Sequence, residues 1–400
     1  MKRFLHSLAD IWGDILFVGK EELRQIFRDQ GVIIFFFLVP LAYPVLYALI
    51  YNPETVHEAP LAVVDPSNKA ASREFIRKID AAPDVRVAAV CGDLEAARRL
   101  MDRGKVFGIL SFPADFSADL HKGKQTTLSL YCDGTSLLYL KAFYLRAMEV
   151  SLDMGRELRE AAHPASTEAM QAILVDPVPY RAVALFNSQG GFATFLVPAI
   201  LILVIHQTLL LGICMLGGTA REKNRRHGLI PSNIHYTGTF RIVGGKALVY
   251  LALYLLTCIW VLYIIPRLFA FPQIGQPLTL FLFLLPFLFA CIFMAMTFSG
   301  FMTSRESPML LFVFMSIVLL FLSGISWPME AMPPFWRAIS HCIPATPGIR
   351  GFVAITTMGA SLNEVAYEYH LLWIQAGFYF VTTCLIYRYQ LILRKRKGGS

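Results

Sequence analysis

The sequence is poor in charge. Only 16% of its 400 residues are Asp, Glu, Lys or Arg, and 56% are hydrophobic, whereas ordinary soluble domains have about 25% charged and 45–50% apolar residues. Several stretches of 20 or more residues contain no charge at all. This composition excludes a disordered chain, a collagen-like chain and an ordinary soluble enzyme. We therefore interpret the chain as an integral membrane protein with one sizeable water-facing domain.

The motifs of several site classes are also absent. No CxxC pair, HExxH, GxSxG or EF-hand pattern occurs, which disfavours zinc, redox, hydrolase and calcium sites. No G-x-x-x-x-G-K-[ST] loop occurs either, and GGK at 244–246 lacks the glycine and the hydroxyl residue of that loop. We therefore expect no catalytic residue, no metal and no cofactor bound by this chain itself.

Long apolar segments are abundant. A helix that crosses a membrane needs roughly 20 apolar residues, and six segments meet this length. We predict spans at 31–51, 192–217, 247–266, 278–303, 308–327 and 370–387. The predicted fold class is thus an α-helical integral membrane protein with six transmembrane helices, five of them in a transmembrane domain over 186–390.

Lys and Arg cluster before the first span, between the second and third, and after the last, where 391–400 form a basic tail. The positive-inside rule therefore places both termini in the cytoplasm. The formal net charge of +8 is explained by this topology, so we expect no nucleic-acid partner.

Residues 1–30 are charged and amphipathic, with apolar residues such as Trp12 and Leu16 among charged neighbours. This pattern predicts a cytoplasmic helix in contact with membrane lipid at the inner interface. A simple extension of the first span is the alternative. Because the first apolar run lies behind this segment and is longer than a signal-peptide core, we interpret it as an uncleaved anchor.

The polar stretch 52–185 predicts a large extracytoplasmic α/β domain inserted between the first two spans. Strands are predicted at 61–65, 85–90, 106–112 and 126–132, and helices at 67–80, 93–104 and 137–158. Ser67 and Asp93 are the predicted caps of the first two helices. Nothing in this domain resembles a catalytic constellation.

Cys91, Cys132 and Cys342 are the cysteines expected on the oxidising side of the membrane. A Cys91–Cys132 disulfide is one interpretation of this spacing. Free thiols that pack as small hydrophobic side chains are the other.

Polar groups single out two further places. His206 is the titratable residue deep inside a predicted span, which makes it a functional candidate; a neutral imidazole that hydrogen-bonds a neighbouring helix is the alternative. The segment TAREKNRRHGLIPSNIHYTGTFRIVGGK (219–246) carries more positive charge than a topology signal requires. This excess suggests a docking surface for a cytoplasmic partner, and a plain topology determinant is the alternative.

Several segments together carry a resemblance to a known family. The outside domain opens with LAVVDPSNKAASREFIRKI, FNSQGGFATFLVPAILILV enters the second span, and an Arg-Glu-Lys sequence follows it. FLSGISWPMEAMPPFWRAISHCIPATPGIRGF (321–352) lies between the last two spans. In these features the chain resembles the permease subunits of multidrug-type exporters of the ABC-2 family. EKNRRHG at 222–228 departs from the family's usual Glu-Arg/Lys-Glu-x-Gly-Thr sequence.

The resemblance implies a permease subunit in the bacterial inner membrane that exports amphipathic, drug- or lipid-like substrates. Two identical or homologous subunits are implied to pair, each with a separate cytoplasmic ATP-binding subunit that binds ATP and Mg. A periplasmic adaptor and an outer-membrane channel are further candidate partners. A non-transporting scaffold or accessory subunit of an envelope export machine is the main alternative, and a membrane enzyme acting on lipids or sugars is a second one.

The resemblance also implies roles for particular residues. The expected contacts with the ATP-binding subunit are Arg221, Glu222, Lys223, Arg225, Arg226, Gly228, Glu22, Arg24 and Arg28. The expected substrate path is lined by Phe192, Phe195, His206, Phe314, Phe321 and Trp327, beneath a re-entrant-like segment at 328–352. Helix packing or lipid contact is the alternative for each of these aromatic side chains.

Overall fold

A computed structural model describes residues 2–52, 54–162, 170, 185–187, 190–223, 229–230 and 238–398. The contacts within the chain divide it into two compact units. Met1–Asn52 together with Leu185–Ser400 form one, which we call the helical unit. Pro53–Ala184 form the other, which we call the α/β unit.

The first elements belong to the helical unit: α1 (Lys2–Ile26) and α2 (Gln30–Tyr51). Asp29 separates the two helices and caps the second, because its side chain accepts hydrogen bonds from the backbone N–H groups of Gly31 and Val32. A carboxylate at this position satisfies N–H groups that have no partner inside the helix.

The α/β unit follows, and its strands and helices alternate. The sequence pattern predicts each of them except the short helix at Phe116–His121. Its elements are β1 (Ala59–Val64), α3 (Ala70–Asp80), β2 (Val85–Cys91), α4 (Leu94–Asp102), β3 (Gly108–Ser111), α5 (Phe116–His121), β4 (Ser129–Cys132) and α6 (Leu137–Ala162). The described strands form one sheet in the order β2-β1-β3-β4. β1 pairs in parallel with both β2 and β3, and β4 pairs antiparallel with β3.

β1 is buried on both faces of this sheet. Leu61 and Val63 pack with Phe75 of α3 and Phe143 of α6. Ala62 and Val64, one residue out of phase, pack with Ala97 of α4 on the opposite face. The continuous apolar run LAVV follows from this burial, since a central parallel strand has no solvent-facing side.

The two predicted helix caps have different outcomes. The side chain of Asp93 accepts a hydrogen bond from the backbone N–H of Ala96 at 2.6 Å, which confirms it as the cap of α4. Ser67 is not the cap of α3, which begins at Ala70. Ser67 instead donates its hydroxyl to the carboxylate of Asp65, which orders the turn before the helix.

The Cys91–Cys132 disulfide is ruled out by the strand order. Both cysteines are free, and they end β2 and β4, the two edges of the sheet. Two strands lie between them, and neighbouring strands are about 4.8 Å apart, so the two Cα atoms are separated by at least about 14 Å. A disulfide requires a Cα–Cα distance below about 7 Å.

The rest of the helical unit is built from α7 (Phe192–Lys223), α8 (Thr239–Leu268), α9 (Pro277–Ser299), α10 (Ser307–Leu322), α11 (Pro334–Ser340), α12 (Ala345–Met358) and α13 (Ala366–Gly398). Among the described residues, five helices are long and apolar enough to cross a membrane, namely α2, α7, α8, α9 and the Ala366–Leu393 part of α13.

α10 is shorter than the span predicted at 308–327. It has 16 residues and therefore extends over about 24 Å, which is less than the roughly 30 Å of hydrocarbon in a bilayer. It ends at Leu322, and Gly324 then takes a positive φ of 86°. A left-handed residue at this place terminates an α-helix.

Contacts between helix ends show that α2 and α7 run antiparallel. The hydroxyl of Thr219, near the end of α7, donates to the carboxylate of Asp29 at 2.9 Å. At the opposite end, the rings of Tyr51 and Phe192 lie 5.3 Å apart. We call the end of the helical unit near Asp29 the basic end, because it carries Arg221, Lys223, Arg241, Lys246 and Arg305.

Among the described helices that are long enough to cross a membrane, α7 is the most buried, since 94% of its most apolar stretch is buried within the chain. A π-helical turn at Ile34–Leu38 of α2 brings the Phe36 ring against it at Gly212. The same ring packs edge-on against Tyr250 and Tyr254 of α8. α7 is therefore enclosed by its neighbours along most of its length.

The segment predicted as re-entrant at 328–352 is a series of short helices. A 3₁₀ turn at Met329–Ala331 precedes α11, and α12 continues to Met358. α12 packs against α7, α9 and α13. These contacts bury most of α12, whereas most residues from Pro328 to Arg337 are exposed.

Candidate functional site

A polar network at the basic end joins three parts of the helical unit. One carboxylate oxygen of Asp29 accepts a hydrogen bond from the guanidinium of Arg305 at 2.7 Å, and the other accepts one from Thr219. Asp29 itself is buried. The start of α2, the end of α7 and the connection between α9 and α10 are thereby held together by one carboxylate.

The charged end of α7 extends this network. The guanidinium of Arg221 donates to the carbonyl of Gly300, and the carboxylate of Glu222 accepts a hydrogen bond from the backbone N–H of Arg305 at 2.9 Å. Glu222 and Lys223 are exposed. Arg221, Glu222 and Lys223, which the sequence predicts as partner contacts, all lie where α7 ends. The first two form hydrogen bonds to residues 300–305, in the connection between α9 and α10.

A glycine allows this close approach. The backbone of Ser304 lies so near Gly218 that an added Cβ would overlap its carbonyl group. Overlap with backbone cannot be relieved by a side-chain rotation, so any other residue here would displace one of the two segments. The end of α7 and the α9–α10 connection are therefore in direct backbone contact.

A second polar cluster attaches α1 to α8. The carboxylate of Glu22 accepts hydrogen bonds from the ammonium of Lys246 and the hydroxyl of Tyr250, and all three side chains are buried. Nearer the N-terminus, the guanidinium of Arg241 pairs with Asp14. A buried ion pair requires such complete pairing, because an unpaired charge removed from water is costly.

This placement changes the role of Glu22. The sequence predicts Glu22 as a partner contact, but its carboxylate is enclosed by α8 and has no exposed surface. We therefore assign it to holding α1 on α8. Arg24 and Arg28 are exposed and remain available for contact. The predicted contacts Arg225, Arg226 and Gly228 lie outside the described residues.

The residues predicted for a substrate path occupy different surroundings. Phe195 at the start of α7, Phe314 and Phe321 on α10, and Trp327 beyond it are exposed. Phe192 is half-buried against Tyr51.

His206 lies in the middle of α7 and is 1% exposed. Among the described residues, neither of its ring nitrogens has a hydrogen-bond partner, and the same holds for the side-chain amide of Gln207. The neutral interhelical hydrogen bond offered as the alternative for His206 is thus not formed within the described part of the chain. Buried polar groups without partners are uncommon, so this pair remains a functional candidate.

Sequence reasoning missed Asp29, Thr219 and Arg305. Each is unremarkable in isolation, since a single Asp, Thr or Arg at the border of an apolar segment has many ordinary explanations. The available signal was their shared position, because all three lie at ends of apolar segments that the charge pattern assigns to one side. Which of those ends meet was not readable from the pattern.

Comparison with known proteins bears on this arrangement of helices and polar ends. The family model described as "ABC-2 family transporter protein" matches residues 31–385. This match covers well over half of the chain and includes nearly all of α2, the α/β unit, α7 to α12 and residues 366–385 of α13. No curated protein matches the chain. The chain therefore belongs to the ABC-2 family, and it is a multi-pass membrane permease subunit of an ABC transporter, a class that associates with ATP-binding subunits.

Proposed function

We propose that the chain is the permease of an ATP-driven exporter that moves amphipathic, drug- or lipid-like substrates outward across the bacterial inner membrane. In this proposal two such chains, identical or homologous, form the pathway. Each engages a separate cytoplasmic subunit that binds ATP and Mg. A periplasmic adaptor and an outer-membrane channel extend the pathway where the envelope has them.

The observation that carries this proposal is the network around Asp29. α7 is enclosed along its length, and its charged end is bonded to the start of α2 and to the α9–α10 connection. A push on this end reaches three helices at once, since packed helices move as rigid bodies. An ATP-binding subunit docked here has a direct mechanical route to the centre of the helical unit.

The proposed topology has six crossings, with both termini in the cytoplasm and the α/β unit outside. The antiparallel ends of α2 and α7 and the positive charge at the basic end support it. α10 is included as the fifth crossing, because a short apolar helix is accommodated by local thinning of the bilayer. α1 lies on the inner surface in this topology, and Trp12 and Leu16, which are exposed, face lipid.

The partner-facing residues follow from exposure. Arg24, Arg28, Glu222 and Lys223 are exposed and form the proposed contact. Arg225, Arg226 and Gly228 belong to it on the sequence alone. Arg221 has its guanidinium engaged with Gly300 and acts from behind the contact surface.

We propose that the exposed face of α10 contacts both the second chain and the substrate. Phe314 and Phe321 project from this face, Phe195 lies at the start of α7, and all three are exposed in the single chain. Burial of such apolar surface contributes about 25 cal/mol per Å². In this pathway we assign a role in binding substrate to His206, which lies beside Gln207 in the apolar part of α7.

The variant Glu222→Lys tests the route through α7. It replaces the acceptor of the Arg305 backbone N–H by a second positive charge. We expect the variant to insert normally, to lose substrate-dependent export, and to leave the ATPase rate of the co-purified ATP-binding subunit insensitive to substrate. Arg388→Glu, an exposed charge reversal on α13 outside this network, is the matched control and should export normally. Normal export by Glu222→Lys contradicts the assignment.

Native mass spectrometry of the tagged chain, purified from its own membranes, tests the assembly. The proposal expects two copies of the permease, or one copy with a homologous chain, together with two ATP-binding subunits. Recovery with outside partners and without an ATPase would instead favour the scaffold function.

A further inference from the structure

The α/β unit contains an open groove of about 1070 Å³. It lies between α6 on one side and the stretch from α5 to β4 on the other. Sites for small molecules commonly have about 300–1,000 Å³, so this groove has room for one such molecule. We call it the α6 groove.

The floor and one wall of the α6 groove are apolar. Phe75, Leu110 and Phe116, which are buried in the core of the unit, form part of the floor. Tyr144 and Met148 line it from α6 one helical turn apart, and both are exposed. Exposed apolar surface in a concave site favours a ligand with an apolar body, because its burial releases ordered water.

The charged lining of the α6 groove has one sign. Lys124 and Arg159 line it, and His121 adds an imidazole, whereas no Asp or Glu occurs among the described lining residues. Residues 52–185 as a whole have 18 acidic and 16 basic residues, so a lining without acids is not expected from composition. The groove is thus electrostatically complementary to an anion.

Hydrogen-bonding groups lie beside one of these charges. Gln125, Thr126 and Thr127 follow Lys124 directly and also line the groove. An ammonium with neighbouring amide and hydroxyl groups suits a carboxylate, sulfate or phosphate, which accepts several hydrogen bonds at once.

We propose that the α6 groove binds one molecule of a single-chain anionic amphiphile. Its apolar body lies along Tyr144 and Met148, and its anionic group lies at Lys124, beside Gln125, Thr126 and Thr127. If this ligand is also the transported molecule, that identification rests on the proposed transport function. The proposed binding to the groove does not depend on it. The occupant is a monomeric amphiphile, not a bilayer lipid, because the groove offers one apolar channel with one charged rim.

The test uses the full chain in nanodiscs of zwitterionic lipid, with a long-chain fatty acid that carries a photoreactive diazirine. After illumination, labelled peptides are identified by mass spectrometry. We expect saturable labelling of peptides from α5 to α6, and competition by unlabelled fatty acid but not by the corresponding neutral alcohol.

Two variants test the two halves of the proposed site. Gly155→Phe adds a ring on the groove side of α6 at a place where an added Cβ meets only the end of the Arg159 side chain, at 3.8 Å. It should abolish groove labelling. Lys124→Glu reverses a rim charge and should lower labelling by about tenfold. Lys122→Glu, an exposed neighbour outside the lining, is the matched control and should label as the parent does.

Several outcomes overturn the proposal. Labelling confined to the membrane-spanning helices, equal labelling by the neutral alcohol probe, or undiminished labelling in Gly155→Phe each contradict it. Circular dichroism of each variant shows whether the fold is retained, and zwitterionic single-chain lipids as competitors separate charge selectivity from simple apolar binding. Because no ATP-binding subunit takes part, failure here leaves the exporter proposal standing, and failure of the Glu222→Lys test leaves this binding result standing.

Discussion

The two units of the chain use ion pairs in different ways. In the α/β unit, Lys78 of α3 bonds Asp153 and Glu157 of α6, whose side chains are about half exposed. In the helical unit, Glu22 and Lys246 pair out of contact with solvent. Exposed pairs contribute about 0–1 kcal/mol, whereas loss of one partner from a buried pair costs about 3–5 kcal/mol. A Lys–carboxylate pair therefore adds little stability on the surface of the α/β unit, whereas in the helical unit it fixes the position of one helix on another.

The difference follows from composition. The α/β unit has the higher share of charged residues. Its pairs Lys78–Asp153, Lys78–Glu157 and Arg146–Asp84 are all partly exposed to solvent. The helical unit has few charges, and those at its basic end connect elements far apart in sequence, such as Asp29 with Arg305 and Glu22 with Lys246. Four variants test this contrast.

The largest effect is expected for Lys246→Met, which leaves the carboxylate of Glu22 buried without its cation. We expect the free energy of unfolding of the helical unit to fall by about 3–5 kcal/mol. The measurement is thermal unfolding followed by a thiol-reactive dye, since Cys214, Cys258 and Cys291 are buried in the helical unit and react as it opens. The double variant Glu22→Leu with Lys246→Met should regain most of the loss. If Lys246→Met is as stable as the parent, the buried ion pair does not stabilise the helical unit more than the exposed pairs stabilise the α/β unit.

Gly212→Ala should have the next largest effect. Its Cβ would overlap the Phe36 ring, which is held on the other side by Tyr250 and Tyr254. Overpacking of this kind costs about 1–3 kcal/mol, measured by the same thiol assay. Gly244→Ala is the matched control, because nothing lies within 4 Å of its added Cβ; it should be neutral or stabilising. Equal stability of the two variants would show that the helices separate easily here.

Asp65→Asn tests the one buried carboxylate among the described residues of the α/β unit, which lies in the turn before α3. Burial raises the pKa of Asp65, but hydrogen bonds from Ser72, Asn68 and Ser67 outweigh it and hold the pKa below its ordinary value. A depressed pKa in the folded state contributes stability above the unfolded pKa of about 3.9, and this contribution is lost as the pH falls through the folded pKa.

At pH 7 the loss in Asp65→Asn should be about 1–3 kcal/mol, and it should shrink as the pH falls below about 4. Hydrogen exchange of β1 and α3 amides in the full chain measures it, as the ratio of variant to parent rates at each pH. This ratio cancels the intrinsic pH dependence of exchange. A ratio that does not change with pH would contradict a role for the ionised carboxylate.

The smallest effect is expected for Lys78→Ala. Its ammonium lies 2.6 Å from Glu157 and 3.3 Å from Asp153, yet these pairs should contribute no more than about 1 kcal/mol and should weaken in salt. Hydrogen exchange of α3 and α6 amides measures the change. Arg77→Ala, which removes a more exposed pair on the same helix, is the control. A loss comparable to that of Lys246→Met would contradict the contrast.

The sequence patterns predicted the local structure well where one physical signal was sufficient. The apolar helices α2, α7, α8, α9 and α13 follow from uncharged length. The strand of LAVV at 61–64 follows from continuous apolarity between turns. The pattern was less accurate for α10, because its apolar run continues beyond the backbone change at Gly324 that ends the helix. A hydropathy pattern contains no information about the backbone angle φ, so it could not predict where this helix ends.

The candidate site could be predicted only in part. A dense charge run drew attention to the end of α7, since charge after a span is visible in the sequence. The family resemblance led us to expect Glu22 as a contact with the ATP-binding subunit. In the folded chain Tyr250 and Lys246 enclose it, and a contact between residues more than 200 positions apart leaves no local pattern.

By itself, the sequence determined that this chain is a multi-pass membrane protein with an α/β unit between its first two long apolar helices, because hydrophobic length and alternation act locally. Only the tertiary structure decided that Asp29 unites α2, α7 and the α9–α10 connection, that Cys91 and Cys132 lie on opposite edges of one sheet, and that an apolar groove with a basic rim opens beside α6. These features arise from packing between distant segments, which is set by the whole fold and not by any one stretch of residues.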